Sequence, residues 1–238
     1  MQEFISAFGA KFYSAFIDGN RWQLYLGGIW VTIKLTAFAM LIGCVLGVLV
    51  ASVRATYDLT EQNRRGFLLR LLNGAAKFYI TVIRGTPLVV QLLIIYFVIF
   101  SNTRNQMAVA VIAFGVNSGA YVAEMVRGGI MSVDKGQMEA GRSLGLSYGT
   151  TMRLIIIPQA VKTILPALGN EFIALLKETS IVTVIGLRDL TKAAMLVGAK
   201  TYDYFLPYIA IALIYLLMVI ILTWLLGKLE RRLRSSER

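Results

Sequence analysis

Histidine is missing from this sequence of 238 residues, and cysteine occurs once, as Cys44. Without histidine the chain has no His-ligated zinc site and no nucleophile activated by an imidazole, and one thiol excludes a disulfide within the chain. Cys44 lies in an apolar run, so we expect it to be a small core residue. The sequence also lacks a G-x-x-x-x-G-K-S/T loop, so we predict that the chain cannot hydrolyse ATP alone.

Acidic residues are scarce as well: there are 13, against 24 lysines and arginines, and the net charge is +11. In a soluble protein this excess would suggest nucleic acid, but no arginine-rich tract with interleaved aromatic residues is present, so we expect no nucleic-acid partner. What the chain has in excess is apolar residues, 57% of the total against about 45–50% in soluble domains. They come in long runs, which is typical of a membrane protein.

The apolar runs predict five membrane spans, since about 20 apolar residues cross a bilayer. Thr86 and Pro87 interrupt the second span, and we expect Thr86 to cap a new helix whose first residue is Pro87. The spacing of Gly43 and Gly47 permits close contact between the first span and another helix. The fold class is therefore predicted as an all-α integral membrane protein with five transmembrane helices. The predicted spans are residues 22–53, 77–100, 107–126, 154–176 and 205–227.

The basic residues predict the orientation of these spans. Six of the 24 lie in residues 54–84, five in 127–162 and five after Gly227. If the chain has five spans, these three segments lie on the same side of the membrane, because they follow the first, third and fifth spans. The positive-inside rule predicts that this side is cytoplasmic. The N-terminus is then outside and the C-terminus cytoplasmic.

The N-terminal residues have a pattern of their own. Phenylalanine recurs at every fourth residue from Phe4 to Phe16. This spacing predicts an amphipathic segment that lies on the membrane or packs against a neighbouring subunit. The predicted division of the chain is an N-terminal segment, a transmembrane domain and a basic tail: residues 1–20, 21–230 and 231–238.

Polar side chains within the spans are candidates for a substrate path, because a charge at mid-bilayer costs at least about 2.5–3.5 kcal/mol on insertion scales. Asn117, Tyr121 and Glu124 share one face of the third span, where they line a path or hold helices together. Pro166 and Gly169 predict a broken helix in the fourth span. Helix ends beside such a break can hold the carboxylate and ammonium groups of an amino acid; the alternative is a kink required only for packing. The candidate substrate-binding residues are Thr86, Gln91, Asn117, Ser118, Tyr121, Glu124, Asn170, Glu171 and Glu178.

A polar stretch punctuated by glycine, Gln137–Pro158, separates the third and fourth spans. Residues 137–144 predict a short helix whose small side chains permit close seating in a groove of a partner, and Gly145 suits a left-handed turn at its end. Leu144 and Leu146 would be apolar anchors of this contact. The alternative is an ordinary solvated loop. The candidate coupling residues, in a loop of residues 134–153, are Glu139, Ala140, Gly141, Arg142, Ser143, Leu144, Gly145 and Leu146.

Glu139-Ala140-Gly141, followed by Gly145, Ile155 and Ile157-Pro158, falls at the spacing of the EAA loop of bacterial importer permeases. From about residue 20 onward the chain resembles the permease subunits of polar amino-acid ABC importers, the histidine, glutamine and arginine permease family. Two departures are Gly141 in place of alanine, expected to weaken the loop helix by about 1 kcal/mol, and Ile157 in place of leucine, expected to matter little. The other stretches that carry the resemblance are residues 84–88 with Gln91, 119–130, 165–172 and 176–187.

This resemblance implies that the chain lies in the bacterial cytoplasmic (inner) membrane, as part of a dimer of membrane subunits. It also implies two kinds of partner: cytoplasmic ABC ATPase subunits and an extracytoplasmic amino-acid-binding protein. The loop around Glu139 and Gly145 would be the coupling helix that docks on the ATPase. No cofactor is expected in this chain, because ATP and Mg belong to the ATPase. We favour a homodimer because nothing in the sequence forbids it; a heterodimer, and one or two substrate pockets, stay open.

The predicted function is ATP-driven import of a polar L-amino acid. Glu124, Glu171 and Glu178 favour a basic substrate (arginine, lysine or histidine), because a buried cation requires a compensating carboxylate. A neutral polar substrate such as glutamine is the alternative. A passive channel would use the same polar face without an ATPase, and an intramembrane enzyme would need a histidine or metal constellation that the sequence does not offer.

Overall fold

Three of the four prolines stand just before a helix or in its first turn, where the missing N–H is harmless, and the long apolar runs form long helices. The computed structural model describes the backbone of residues 2–235 and the side chains of Ser6 and residues 8–233. This part of the chain is helical apart from short connections and contains no strand. Its α-helices are α1 (Gln2–Phe12), α2 (Trp22–Leu59), α3 (Phe67–Arg84), α4 (Leu88–Ile94), α5 (Gln106–Met131), α6 (Lys135–Ser143), α7 (Tyr148–Thr151), α8 (Ile157–Glu178), α9 (Leu190–Thr201) and α10 (Phe205–Ser235).

Four helical segments are long and apolar enough to cross a membrane: Trp22–Leu59, Gln106–Met131, Tyr148–Ile185 and Phe205–Leu233. α3 and the following segment Leu88–Ile99 meet the same test together and are bent by 106° at the break between them. The described residues thus give four candidate spans, or five if the bent pair is one span. The predicted all-helical fold is confirmed, and the predicted count of five spans depends on the bent pair. α2 has 38 residues, about 57 Å of helix, so it extends beyond a hydrocarbon core of about 30 Å.

α2 and α5 form the central pair of the bundle, and glycines let them approach closely. A Cβ atom on Gly47 would lie 2.4 Å from Val122 Cγ1, and one on Gly43 would lie 3.0 Å from Ser118 Cβ. The predicted close contact at these two glycines is confirmed. The fully buried large side chains of the surrounding core include Leu35, Leu92, Phe114, Val122, Leu175 and Val182.

The N-terminal segment folds back against α9 and α10. Ala15 is buried in an apolar cluster with Leu190 and Val197, and Lys11 Nζ lies 2.9 Å from Asp203 Oδ2. The Lys11 ammonium lowers the pKa of the Asp203 carboxyl below its ordinary value, and the backbone N–H of Phe205 acts in the same direction. An ion pair and an apolar contact together fix this segment at one end of the bundle.

The phenylalanines of the predicted stripe differ in their surroundings. Phe16 packs against Tyr25, with ring centroids 5.3 Å apart, whereas Phe8 and Phe12 are exposed. The side chain of Phe4 lies outside the described residues. The exposed rings suit a membrane surface or a partner, as the spacing predicts, while Phe16 joins the bundle itself.

α8 runs without a break from Ile157 to Glu178, with Pro166 inside it. The predicted broken helix at Pro166 and Gly169 is therefore wrong. Gly169 permits close packing instead, because a Cβ atom there would lie 2.4 Å from Leu226 Cδ1 of α10. The regular α-helix of this span is interrupted earlier, by a π-helical turn at Met152–Ile156.

The start of α4 also differs from the prediction. Pro87 precedes the helix with ψ at 135°, and the first helical residue is Leu88. Thr86 Oγ1 donates to the carbonyl of Val82, at 2.9 Å. The predicted cap at Thr86 is wrong because its hydroxyl bonds back to the end of α3.

Candidate functional site

Gln91 joins α4 to the bend before it and to α5. Its Nε2 donates to the carbonyls of Ile83 at 2.7 Å and Thr86 at 3.1 Å, and lies 2.8 Å from Thr86 Oγ1. On its other side, Asn117 Nδ2 donates to Gln91 Oε1 at 3.0 Å. Gln91 is 8% exposed and Asn117 is 5% exposed. Three of the predicted site residues, Thr86, Gln91 and Asn117, are thus brought together, and the last two of them are buried.

Ser118 and Glu171 form a second polar link, between α5 and α8. Ser118 Oγ donates to Glu171 Oε1 at 2.9 Å. Ser118 is fully buried, and Glu171 is partly buried. A carboxylate placed among apolar helices with a hydroxyl partner is an acceptor suited to a cation or an N–H group of a ligand.

Glu124 lies in a network of charges that joins the ends of α2, α3 and α5. Arg127 contacts Glu124 at 3.3 Å and Asp58 at 3.0 Å. Arg84 approaches Glu124 at 3.9 Å, and its guanidinium carbon lies 5.2 Å from the ring centroid of Tyr121. The negative charge of Glu124 is therefore already compensated within the chain, and Tyr121 contacts a cation of the protein itself.

The structure separates two predicted residues from these contacts. Asn170 and Glu178 are exposed on α8. The hydrogen bonds found among the described residues connect neither of them to Gln91, Asn117 or Ser118. Thr86 is also exposed, although it contacts Gln91. Participation of these three residues in substrate binding, like that of the other candidates, stays a prediction.

The predicted helix around Glu139 is present as α6. Asp134 Oδ1 caps its start by accepting from the N–H of Gly136 at 2.7 Å. At its end Gly145 has φ of +82°, Leu146 N–H donates to the Gly141 carbonyl at 3.1 Å, and Gly145 N–H donates to Arg142 at 3.0 Å. This pair of bonds is a Schellman motif. It gives the loop a defined shape, as the left-handed turn predicted at Gly145 requires.

Gly141, a residue of α6, is buried where α6 packs against the segment that follows it. A Cβ atom there would lie 2.5 Å from Thr151 Cγ2 and 3.3 Å from Ile155 Cδ1. Glycine is therefore a packing requirement at this position as well as a weak helix former. On the outer side of the loop Leu144 is 81% exposed. The other exposed coupling candidates are Glu139, Ala140, Arg142, Ser143 and Gly145, while Leu146 is partly buried.

Sequence reasoning predicted none of the ion pairs described here. Glu124 and Arg127 stand three residues apart on one helix, a spacing that could have indicated their contact. Asp58 gave no such signal, because its partner Arg127 is 69 residues away. The same holds for Tyr79, whose hydroxyl donates to the carbonyl of Val116 at 2.5 Å, 37 residues away.

In the described part of the chain no group of three or more Cys, Asp or Glu side chains could hold a metal ion. Helices able to span a membrane, polar groups buried among them and a shaped polar loop define a membrane transport component. Residues 43–235 match the family of the binding-protein-dependent transport system inner membrane component, and the chain belongs to that family.

Relatives narrow the class to amino-acid transporters. The chain is 41% identical over 215 residues to the arginine transport system permease protein ArtQ of Bacillus subtilis (strain 168), covering 89% of this chain and 93% of the relative. It is 40% identical over 212 residues to the putative glutamine transport system permease protein GlnP of Rickettsia bellii (strain RML369-C), covering 88% and 92%. A solved structure, an amino acid ABC transporter with histidines, matches with a TM-score of 0.79 at 46% identity, covering 88% of this chain and 94% of that chain.

These similarities confirm the predicted amino-acid ABC permease of the inner membrane. They also confirm that the chain is a transporter subunit and not itself an enzyme, since the family consists of permease subunits. Membership implies ATPase and substrate-binding partners.

Proposed function

We propose that this chain forms the substrate path of an ATP-driven importer that prefers a basic amino acid such as arginine over glutamine. The observation that carries this preference is the Glu171 carboxylate, which a buried Ser118 hydroxyl holds within the bundle. Glu124 is already compensated by arginine side chains, so Glu171 is the better counter-charge for a cation. Relatives named for arginine and for glutamine support the two substrate classes.

The proposed substrate contacts are the buried or partly buried polar groups of α5 and α8. Asn117 and Glu171 supply acceptors, and Tyr121 supplies a ring beside them along α5. Gln91 and Thr86 support this region from the bend before α4. Asn170 and Glu178 are proposed to meet the substrate on the exposed side of α8.

The proposed orientation has the N-terminus outside and the C-terminus in the cytoplasm. The Arg127–Asp58 pair sets the ends of α2 and α5 at one level, and the hydrogen bond from Arg54 to Asn73 at 2.9 Å adds the first half of α3. α6 follows α5 directly, so it belongs to the same side. Two of the three basic segments meet here, and the positive-inside rule supports a cytoplasmic position.

α6 and the turn after it are proposed as the coupling helix within residues 134–153. The exposed Leu144 would insert in an apolar groove of the ATPase, and Ala140 and Ser143 would permit close approach. Glu139 and Arg142 would contact charges at the rim. ATP and Mg²⁺ are proposed to be held by that ATPase, and no cofactor by this chain.

The exposed face of α8 supports pairing with a second permease subunit. Gln159, Thr163, Asn170 and Lys177 are exposed and share one face, because spacings of 4, 11 and 18 residues return to the same side of a helix. Polar groups on a membrane helix are expensive against lipid. We therefore propose that this face lines a path shared with a second copy in a homodimer; a heterodimer with a similar subunit would use the same face.

The remaining parts of the assembly follow from this arrangement. The extracytoplasmic amino-acid-binding protein is proposed to dock at the end of the bundle opposite α6. Lys11 and Ala15 of the N-terminal segment lie beside that end, next to α9 and α10. Residues 21–230 are proposed as the permease domain and 231–238 as a basic cytoplasmic tail.

Uptake into proteoliposomes that contain this chain, its ATPase and its binding protein tests the substrate preference. We expect ATP-dependent uptake of arginine, lysine or histidine, and we expect Glu171→Gln to lower arginine uptake about tenfold, the loss of roughly 1.4 kcal/mol, with a smaller effect on glutamine. Glu61→Gln is the matched control, because that carboxylate is exposed and paired with Arg64. An unchanged arginine response in Glu171→Gln would remove Glu171 as the counter-charge, and uptake without ATP would favour a passive channel.

A further inference from the structure

The bend between α3 and α4 leaves backbone carbonyls without helical partners. Pro87 has no N–H, so the carbonyl of Ile83, four residues earlier, loses the donor that a continuous helix would supply. The N–H of Val90 bonds to Pro87, at 3.0 Å, so it does not serve the carbonyl of Thr86. The Gln91 amide reaches both carbonyls, at 2.7 Å and 3.1 Å. The Gln91 side chain therefore takes the place of the missing backbone donors.

This role fixes the direction of the Gln91 amide. A backbone carbonyl oxygen can only accept a hydrogen bond, so Nε2 of Gln91 must face Ile83 and Thr86. Its Oε1 then faces Asn117, which must turn its own Nδ2 toward this acceptor, and the two atoms lie 3.0 Å apart. Asn117 consequently keeps its carbonyl oxygen, Oδ1, as the acceptor that it can offer elsewhere. The orientation of a buried amide on α5 is thus determined by a proline in the bend between α3 and α4.

We propose that Gln91 is a positioning residue that holds the Asn117 amide so that its oxygen receives an N–H donor of the transported amino acid. The proposal rests on the function proposed above, in which α5 lines the substrate path. The donor is the α-ammonium group or the cationic side chain of the substrate, both of which carry N–H groups. A flipped Asn117 would present N–H groups to a cation and leave Gln91 Oε1 facing an oxygen, which is unfavourable at a site only 5% exposed.

The test measures binding of a radiolabelled amino acid to the purified permease–ATPase complex without the binding protein. The probe is whichever of arginine, histidine, lysine and glutamine the wild type takes up fastest with ATP. Gln91→Met keeps the length of the side chain and removes its amide, and we expect it to raise the Kd about tenfold or more. Gln106→Met is the matched control, because the Gln106 amide also donates to a distant backbone carbonyl, Ile185, at 2.8 Å, but not to an asparagine. It is expected to leave the Kd within about twofold.

A double-mutant cycle separates positioning from a purely structural role. If Gln91 acts through Asn117, Gln91→Met has no further effect on the Kd in an Asn117→Ala background. Effects that multiply, or a Kd unchanged in Gln91→Met, overturn the proposal. Should Gln91→Met fail to assemble, Asn117→Ala decides the matter alone, because it leaves the carbonyls of the bend paired with Gln91: an unchanged Kd again overturns the proposal.

A probe that lacks the α-amino group identifies the donor. The desamino analogue of the probe keeps the side chain and the carboxylate. If Gln91→Met weakens binding of the amino acid but not of its analogue, Asn117 receives the α-ammonium; if both weaken, it receives the side chain. A wild type that shows no ATP-driven uptake of any of the four amino acids contradicts the proposed function itself, whereas wild-type uptake with unchanged variants contradicts only the role of Gln91.

Discussion

At the scale of single residues, the arginines of this chain differ in how firmly they are held. Arg127 has two carboxylate partners, at 3.0 Å and 3.3 Å, while Arg84 has one, at 3.9 Å. We expect Arg127→Gln to lower the free energy of unfolding by about 1–3 kcal/mol, because it leaves the partly buried Asp58 without a cation and leaves Glu124 with Arg84 alone, 3.9 Å away. Arg84→Gln should lower it by about 1 kcal/mol or less. Thermal unfolding of the purified protein in detergent measures both.

Arg64 supplies the control for this series. It pairs with Glu61 at 3.2 Å, but the two side chains are 79% and 75% exposed. An exposed pair contributes little, so Arg64→Gln should leave the unfolding midpoint unchanged. A loss of stability in Arg64→Gln equal to that in Arg127→Gln would show that pairing and burial do not set these effects.

At Gly141, helix propensity and packing predict opposite effects of a substitution by alanine on stability. Alanine favours a helix over glycine by about 1 kcal/mol, but the new Cβ would overlap Thr151 Cγ2, 2.5 Å away. We expect Gly141→Ala to destabilise the protein by about 1–3 kcal/mol, as overpacking does. Adding Thr151→Ser removes that methyl group and should restore part of the loss. A more stable Gly141→Ala protein would mean that propensity prevails at this position and that the packing described here does not hold.

The structural roles of some of these residues could be predicted from the sequence, and those of others could not. The left-handed turn at Gly145 was predictable because it depends on local backbone geometry. The close helix contact at Gly43 and Gly47 was predictable because their spacing places both on one helix face. Glu124 was predicted as a substrate ligand, and its pairing with Arg84 could not be seen, since the two residues are 40 positions apart in the chain. Contacts between distant residues depend on how helices pack, which spacing alone does not reveal.

At the scale of helices, the exposed face of α8 predicts a difference in water access. We expect cysteines introduced as Thr163→Cys and Asn170→Cys to react with a membrane-impermeant thiol reagent in the assembled transporter, because this face is proposed to line a path. Leu216→Cys and Leu217→Cys of α10, exposed apolar positions, should not react, because lipid covers them. The experiment uses a Cys44→Ala background. Reaction on α10 with none on α8 would contradict the proposed arrangement.

The attachment of the N-terminal segment predicts a dependence on pH. The pKa of Asp203 is lowered by Lys11, so this ion pair stabilises the attachment above the ordinary pKa of aspartate, and the stabilisation is lost as the pH falls through the lowered value. A spin label on Phe8→Cys, in a Cys44→Ala background, should therefore become more mobile between about pH 5 and about pH 3. In Asp203→Asn the label should be mobile at both values. An equal pH response in both proteins would exclude this pair as the cause.

Helices were predicted better than the breaks between them. Long apolar runs give the spans directly, because apolar length is what a bilayer requires. Pro166 misled the prediction: a proline removes one hydrogen bond, yet packing of α8 on α10 at Gly169 and on α5 keeps the helix continuous. Pro87 does accompany a real break, where the Gln91 side chain supplies the missing donors. Tertiary contacts decide which proline ends a helix.

At the scale of the whole molecule, the chain is one part of a larger machine. It belongs to a family of binding-protein-dependent permeases, and its sequence has no nucleotide-binding loop. The proposed coupling helix α6 lies between α5 and α8, the two helices that hold Asn117, Ser118 and Glu171. A force applied to α6 would therefore act on both proposed walls of the substrate path.

Leu144 provides the sharpest test of that coupling. It is 81% exposed, so Leu144→Asp should leave the fold intact while placing a charge in the proposed ATPase groove. The measurement is uptake of labelled arginine and glutamine into proteoliposomes that contain the full transporter, with and without ATP, for wild type and Leu144→Asp. We expect uptake by the wild type only with ATP and a loss of about tenfold or more in Leu144→Asp, with the ATPase still active. Uptake that needs no ATP, or that Leu144→Asp leaves unchanged, would contradict the coupling role of α6.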